Sequence, residues 1–266
     1  MLANFHTHCT YCDGKDTPED VVLAAIEKGF YAIGFTSHGN TPFDAEYCMQ
    51  DTEGYIACIS ALKDKYKKQI QIYLGLEEDM HAIVDRRRFD YIIGSSHYLH
   101  IDGRYLPLDS GYACFQRCLR ECADDPLKLA QIYFEGFCDY IHKRKPDIVG
   151  HFDLITKYEE CQKSLYLENR RYVELASRYI AYAAESGCVF EVNTGAMARV
   201  LRTGPYPQAD LLHVLKKHNA PLILSSDCHS AEKLDFGFDQ AQCLLRDIGF
   251  TELYTIDNGK FKSYKI

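Results

Sequence analysis

Six histidines and three carboxylates stand in this chain at spacings that could hold divalent metal ions: His6, His8, His38, His97, His151 and His229, with Asp13, Glu77 and Asp227. Imidazole nitrogen mixed with carboxylate oxygen, without thiolate, suits Zn, Mn or Fe at a hydrolytic centre better than a closed structural zinc. Nine such groups exceed what one ion can use. With carboxylates bridging, they would serve two or three ions a few ångströms apart, an arrangement that suits phosphoryl chemistry. A lone histidine is more often a satisfied core or surface residue, so the weight rests on how the set is placed along the chain.

That placement is regular. Short β-rich apolar runs at Ala3–His6, Ala32–Ser37, Ile70–Gly75, Tyr91–Ser95, Ile148–Gly150, Val189–Val192 and Pro221–Leu224 read as seven strands. They end in His6-Thr7-His8, His38, Glu77, His97, His151-Phe152-Asp153, Glu191-Val192-Asn193 and Asp227-Cys228-His229. Residues i and i+2 of a strand share a face, so His6 with His8, and Asp227 with His229, can point the same way. Helical patterns alternate with the strands at Pro18–Lys28, Thr52–Lys67, Ala113–Lys143, Leu167–Ser186, Ala209–His218 and Asp239–Ile248. The first is opened by Thr17 as cap and Pro18 in the first turn and closed by Gly29. A β/α repeat of this kind converges its strand ends on one rim, where barrels build their active sites. His81, His100, His142, His213 and His218 lack that placement, although His100 is a minor candidate for substrate contact.

A chain of 266 residues can bury one sizeable core, so residues 1–266 read as one domain. Its longest strand-to-strand gap carries an insertion around 98–146, with a polar loop from His100 through Asp109 followed by helices; it is the candidate active-site lid. The tail Leu253–Ile266 reads as a last edge strand or a segment packed on the barrel. A hydrophobic fraction of 47% and a charged fraction of 26% are those of a soluble globular protein. No run approaches a membrane span, and the start lacks an export signal, so a cytoplasmic location is expected. The net charge of −8 argues against a nucleic-acid partner but leaves room for a small phosphate ester neutralised locally by metals. Twelve cysteines without an export signal read as reduced thiols. Cys114, Cys118 and Cys122, at helical spacing, read as buried small hydrophobes rather than a thiolate site. Nothing in the sequence speaks to oligomeric state.

His6-x-His8 with Asp13, His38, Glu77, His97, His151 and Asp227-x-His229 resembles the full motif set of the PHP (polymerase and histidinol phosphatase) family over nearly the whole chain. Gly94–Leu99, Phe137–Asp153 with its ending Asp147–Asp153, Glu191–Thr194, and an aspartate rather than a histidine at position 13, look most like its histidinol-phosphate phosphatases. Ser96 and Cys228 depart from the usual pattern without removing a ligand. The resemblance implies an α/β fold, a distorted (β/α)7 TIM-like barrel of PHP type, and three metals. By it, His6, His8, Glu77 and Asp227 hold the first ion, Glu77, His97 and His151 the second, and Asp13, His38 and His229 the third.

The expected reaction is hydrolysis of L-histidinol phosphate, a step of histidine biosynthesis, by a metal-bridging hydroxide that attacks phosphorus directly. Glu77, Asp227 and His229 are then the catalytic ligands. The resemblance places phosphate-binding cations near Arg199, after a short loop Gly195–Ala198, and near Lys157, with Arg202 as a substitute for Arg199. Lys157 is nearly as well read as a solvated surface charge. Glu191 and Asn193 are placed for a substrate amine or for a bond to a metal-binding histidine. Asp153 is the one candidate for protonating the leaving group. Two other readings compete: a phosphoesterase for nucleotides or other small phosphate esters with the same metals, and a non-catalytic metal-binding PHP module, whose motifs would be eroded.

Overall fold

A computed structural model describes residues 2–160 and 164–266. The strands and helices alternate along the chain as β1 (Ala3–Asn4), α1 (Pro18–Glu27), β2 (Ala32–Phe35), α2 (Thr52–Tyr66), β3 (Gln71–Asp79) and β4 (Tyr91–Ser95). A hairpin of β5 (Tyr98–Ile101) and β6 (Arg104–Pro107) precedes α3 (Tyr112–Glu121) and α4 (Pro126–Arg144). Then come β7 (Ile148–Val149), α5 (Arg170–Ala184), β8 (Val189–Asn193), α6 (Gly195–Ala198), α7 (Ala209–Lys217), β9 (Leu222–Ser225), α8 (Phe238–Ile248), β10 (Glu252–Asp257) and β11 (Lys260–Lys265).

The main sheet has the order β1-β2-β3-β4-β7-β8-β9-β10-β11 and is parallel except for the last pair. Its first seven strands are the seven expected ones. A parallel bridge between Thr7 and Cys228, with the His8 amide donating to Cys228 O at 2.9 Å, brings the β1 edge back against the chain leaving β9. The result is a mixed α/β fold in which a curled parallel sheet meets itself at the C-terminal ends of its strands. The tail forms the β10–β11 hairpin, added to β9 through Tyr254 and Ile223.

Local sequence accounts for the main boundaries. Thr17 caps α1 in a reciprocal capping box with Asp20, Pro18 occupies the first turn, and Gly29 follows in the left-handed region with φ 76°. Inside the curl, Phe5, Tyr73, Tyr91, Ile93, Ile148, Val189 and Ile223 pack as one apolar plug below the ligands. Separate clusters fill the space between sheet and helices, and Cys118 and Cys122 lie buried in one of them as small apolar residues. The cysteines among the described residues are free thiols; Cys161 lies outside those residues. Among the described residues no helix is long and apolar enough to cross a membrane.

Three expectations need correction. The segment from His100 to Asp109 is not a loop: most of it belongs to the β5–β6 hairpin, joined by Asp102-Gly103 at φ 50° and 76°. An Asp-Gly pair with both residues at positive φ is the two-residue turn that matches strand twist, and Leu99 and Leu106 anchor the hairpin in the core. Gly195–Ala198 is a single helical turn rather than a loop. Strand β1 ends at Asn4, because the Asn4 side-chain oxygen accepts the His6 amide at 3.1 Å in place of a ladder partner.

Outside the ligand cluster, Glu78 ties β3 to α4. It is fully buried and takes two hydrogen bonds from Arg144, at 2.8 and 2.7 Å, one from Tyr140 OH at 2.6 Å and one from the Val84 amide at 2.8 Å. Removing one partner of a buried pair leaves the other charge uncompensated. Arg144→Met is therefore expected to lower unfolding free energy by about 3–5 kcal/mol, measured by urea denaturation, and a loss under about 1 kcal/mol would contradict this.

Candidate metal centre

All nine expected metal-binding residues converge at the C-terminal rim. His6, His8, Glu77, His97 and His151 are almost fully buried, as are Asp227 and His38, whereas His229 is half-buried and Asp13 faces the opening. Glu77 lies at the middle. Its Oε2 is 3.3 Å from His6 Nε2, 3.5 Å from His8 Nε2 and 2.8 Å from His38 Nδ1. Its Oε1 is 3.0 Å from His151 Nε2 and 3.4 Å from His97 Nε2, and it accepts from Ser95 Oγ at 2.6 Å. Asp227 Oδ1 approaches His8 Nε2 at 3.1 Å and His6 Nε2 at 3.6 Å. Towards the mouth, Asp13 Oδ2 is 3.2 Å from His229 Nε2 and Asp13 Oδ1 is 3.7 Å from His38 Nε2.

Atoms that share an ion at ~2.0–2.2 Å lie roughly 3–3.5 Å from one another. Three groups have their ligand atoms within 4.8 Å: His8, Asp13, His38 and His229; His6, His8 and Glu77; His38, Glu77 and His97. Glu77 turns one oxygen to each side, so it could bridge. His6 Nε2, His8 Nε2 and Glu77 Oε2 are buried without a hydrogen bond of good geometry. Buried polar atoms are ordinarily paired, and here they point at one another across gaps that cations would fill. The residues therefore fit divalent ions.

Electrostatics agree. Burial pushes the Glu77 carboxyl up, but His6, His38 and His97 outweigh it and hold it well below the usual range. Asp227 is depressed likewise, burial being overcome by Arg199 and His6. Burial, with His229 and His38 nearby, pushes His8 down to about 3, so it stands neutral, the form that binds metal. Asp227 has φ 46°, in the left-handed region that costs a non-glycine residue on the order of 1–2 kcal/mol. The turn aims both Asp227 and His229 at the cluster. It also needs Gly195, where a Cβ would fall 2.8 Å from Asp227 Oδ2 and 2.9 Å from Arg199 Nη2.

The centre opens into a cavity of about 530 Å³ lined by, among others, Tyr47, Tyr98, Asp109, Lys157, Arg199 and Lys233. Arg199 Nη2 donates to Asp227 Oδ2 at 3.0 Å, and Nη1 lies 3.2 Å from His229 Nδ1. Lys157 Nζ donates to Asp109 Oδ2 at 2.9 Å. Both expected cations thus face the opening, and Lys157 is not the solvated surface charge of the alternative reading. The other expected substrate contacts do not reach it. Arg202 turns inward, donating to Thr156 Oγ1 at 2.7 Å and covering the Tyr206 ring at 4.5 Å, so it does not stand in for Arg199. Glu191 has both oxygens occupied: Oε1 by His6 Nδ1 at 2.6 Å and by Ser225 Oγ, Oε2 by the His151 amide and Asn193 Nδ2, each at 2.9 Å. Of its two possible roles, the geometry leaves the bond that orients a metal-binding histidine, not the substrate amine, and Asn193 supports it.

Asp153 is also withdrawn from the cavity, accepting the Gln208 amide at 3.1 Å and facing Arg202 at 3.8 Å. It is not placed to protonate a leaving group. His100 lies exposed against Tyr105, away from the lining. Asp79 is a site residue that the sequence patterns did not single out. It accepts the His97 amide at 2.9 Å and lies 3.4 Å from His97 Nδ1, so it holds the backbone of His97 and sets a carboxylate beside its ring. Its position two residues beyond Glu77 on β3 was the available signal.

Comparison with known proteins places this architecture. A model of the PHP domain matches residues 4–195. A probable histidinol-phosphatase of Schizosaccharomyces pombe is 30% identical, the alignment covering 97% of this chain and 90% of that protein. The histidinol-phosphatase of Bacillus subtilis is 27% identical over 88% of this chain and 96% of its own. Among solved structures, a putative histidinol phosphatase of Listeria monocytogenes superposes with a TM-score of 0.79 at 20% identity, covering 90% of this chain and 99% of the other. The histidinol phosphate phosphatase of Lactococcus lactis, complexed with Zn, L-histidinol and phosphate, superposes with a TM-score of 0.69 at 21% identity, over 98% of each chain. The two structures share the fold. With the family model spanning most of the chain and a relative at 30% identity aligned over nearly all of it, this chain belongs to the PHP domain family.

Proposed function

We propose that the chain is a metal-dependent phosphatase that hydrolyses L-histidinol phosphate to L-histidinol and phosphate, within histidine biosynthesis, and that residues 1–266 work as one catalytic unit. The observation that carries it is Glu77, whose two oxygens face separate groups of imidazoles beneath an arginine-lined cavity. The names of relatives aligned over most of this chain support the substrate. Two or three ions, of Zn, Mn or Fe, would be held by His6, His8, Glu77 and Asp227, by Glu77, His97 and His151, and by Asp13, His38 and His229. When bound, such ions supply Lewis acidity, lowering the pKa of water and neutralising phosphoryl oxygens.

The protein's own groups do the rest. Glu191 fixes the ring orientation of His6, and Asp79 holds the backbone amide of His97. Arg199, braced on Asp227 and His229, keeps guanidinium N–H groups at the mouth for the equatorial oxygens, which gain charge in the transition state. Lys157 offers a second cation from the β7 loop. Tyr98 of the β5–β6 hairpin and Asp109 just after it form one wall of the cavity, so the covering role belongs to this part of the 98–146 insertion. The long helix α4 packs on α5 as a barrel helix instead.

Arg199→Ala is expected to lower kcat/KM by about 10²–10³-fold, as for loss of one transition-state donor, and to weaken product inhibition by phosphate. Unchanged kinetics would show that the phosphate binds elsewhere. The function itself is tested with metal-loaded protein on L-histidinol phosphate and on nucleoside monophosphates and bisphosphates. L-Histidinol phosphate is expected to have the highest kcat/KM, and a clear preference for a nucleotide overturns the proposal.

A further inference from the structure

A cavity for a phosphate dianion should be lined with cations, and Lys15, Lys157, Arg199 and Lys233 meet that requirement. One lining residue runs against it. Asp109 leaves the β5–β6 hairpin and places a carboxylate, one-fifth exposed, in the same cavity. The segment is held firmly: Lys157 Nζ donates to Asp109 O at 3.0 Å as well as to Oδ2 at 2.9 Å, and Tyr158 OH donates to Asp109 O. Glu232 also lines the cavity but is exposed at its rim, and the remaining lining carboxylates belong to the metal cluster. Asp109 repels phosphate, so its position calls for a cation on the ligand.

The resting pair suggests which cation. Lys157 and Asp109 present a positive and a negative group one ion-pair distance apart, both facing the cavity. A phosphate monoester of a 2-amino alcohol carries the opposite arrangement, its phosphate and ammonium groups on neighbouring carbons. Exchanging the internal pair for two pairs with the ligand conserves charge balance in a partly dry site, where an unpaired charge is costly. We infer that Asp109 binds the ammonium group of such a substrate and sets the preference for cationic leaving alcohols, while Lys157 turns to the phosphate. This rests on the phosphatase reading above and assigns Asp109 a specificity role in it.

The test compares ratios, so that release of Lys157, which affects every phosphate ester, cancels. Wild-type and Asp109→Asn proteins, full length and metal-loaded, are assayed on L-histidinol phosphate, O-phosphoethanolamine and p-nitrophenyl phosphate. The expected result is at least a tenfold fall in kcat/KM for the two ammonium-bearing esters relative to p-nitrophenyl phosphate. If the ratios stay within twofold of wild type, Asp109 serves only to orient Lys157 and the inference is overturned. Should the wild type ignore L-histidinol phosphate, the proposed function fails, while the O-phosphoethanolamine ratio still decides Asp109. If Asp109→Asn does not fold, wild-type inhibition decides: L-histidinol is expected to inhibit at least tenfold more strongly than the same alcohol lacking its amino group. Equal inhibition overturns the inference.

Discussion

Glu77→Gln is expected to lower kcat/KM by at least about 10³-fold, the order seen when a group that stabilises transition-state charge is lost, and to remove metal from two positions rather than one. The reason is geometric. Glu77 Oε2 faces His6, His8 and His38, and Oε1 faces His97 and His151, so a single carboxylate serves both sides of the cluster. The amide keeps the volume and one acceptor but loses the charge that balances several imidazoles. Asp227→Asn, which lies to one side, should cost fewer ions. Metal analysis of the purified variants separates the two, and circular dichroism checks the fold. Weakening the buried acceptor of Ser95 Oγ should cost about 1–3 kcal/mol, leaving the barrel folded. A Glu77→Gln protein with wild-type metal content and rate would remove Glu77 from the centre of the mechanism.

Stripping the metals is expected to have the second large effect, on both activity and stability. The ligand cluster is buried beneath the mouth with His6 Nε2, His8 Nε2 and Glu77 Oε2 unpaired, so without ions the folded state carries their desolvation uncompensated. An ion present at a hundred times its Kd stabilises by about 2.7 kcal/mol, and at 2–4 °C per kcal/mol for a chain near this size that is roughly 5–10 °C in Tm per ion. Chelation should abolish turnover and lower Tm by at least this much, and adding back Zn, Mn or Fe salts should restore both. The ion that restores them best identifies the preferred metal. A Tm indifferent to chelator, with fewer than two ions bound per chain, would favour the non-catalytic binding module instead.

Much of the barrel is legible locally. The strand periods, the Thr17-Pro18 start and Gly29 stop of α1, and the coincidence of ligands with strand ends are short-range patterns, and the structure reproduces them within a few residues. The β5–β6 hairpin was legible too, since Asp102-Gly103 announces a two-residue turn. The polar composition around it reads as a loop only when the pair is overlooked.

Side chains beyond the ligands divide differently. Arg199 and Arg202 are three residues apart, of one type, on the same connection after β8, and only the fold separates them. The turn of α6 directs Arg199 to Asp227, whereas Arg202 packs on Tyr206 behind the rim. Glu191 stands between the apolar Phe190 and Val192 as a catalytic carboxylate would, yet its oxygens are consumed by His6, His151, Asn193 and Ser225, which come from four different segments of chain. The sequence by itself determined the kind of chemistry, because metal binding depends on residue types, and the period of a strand places those types on one face. Tertiary structure alone decided which charges remain free for a substrate, because a charged group's availability depends on partners distant in sequence. Asp109 and Lys157, forty-eight positions apart, are such a case.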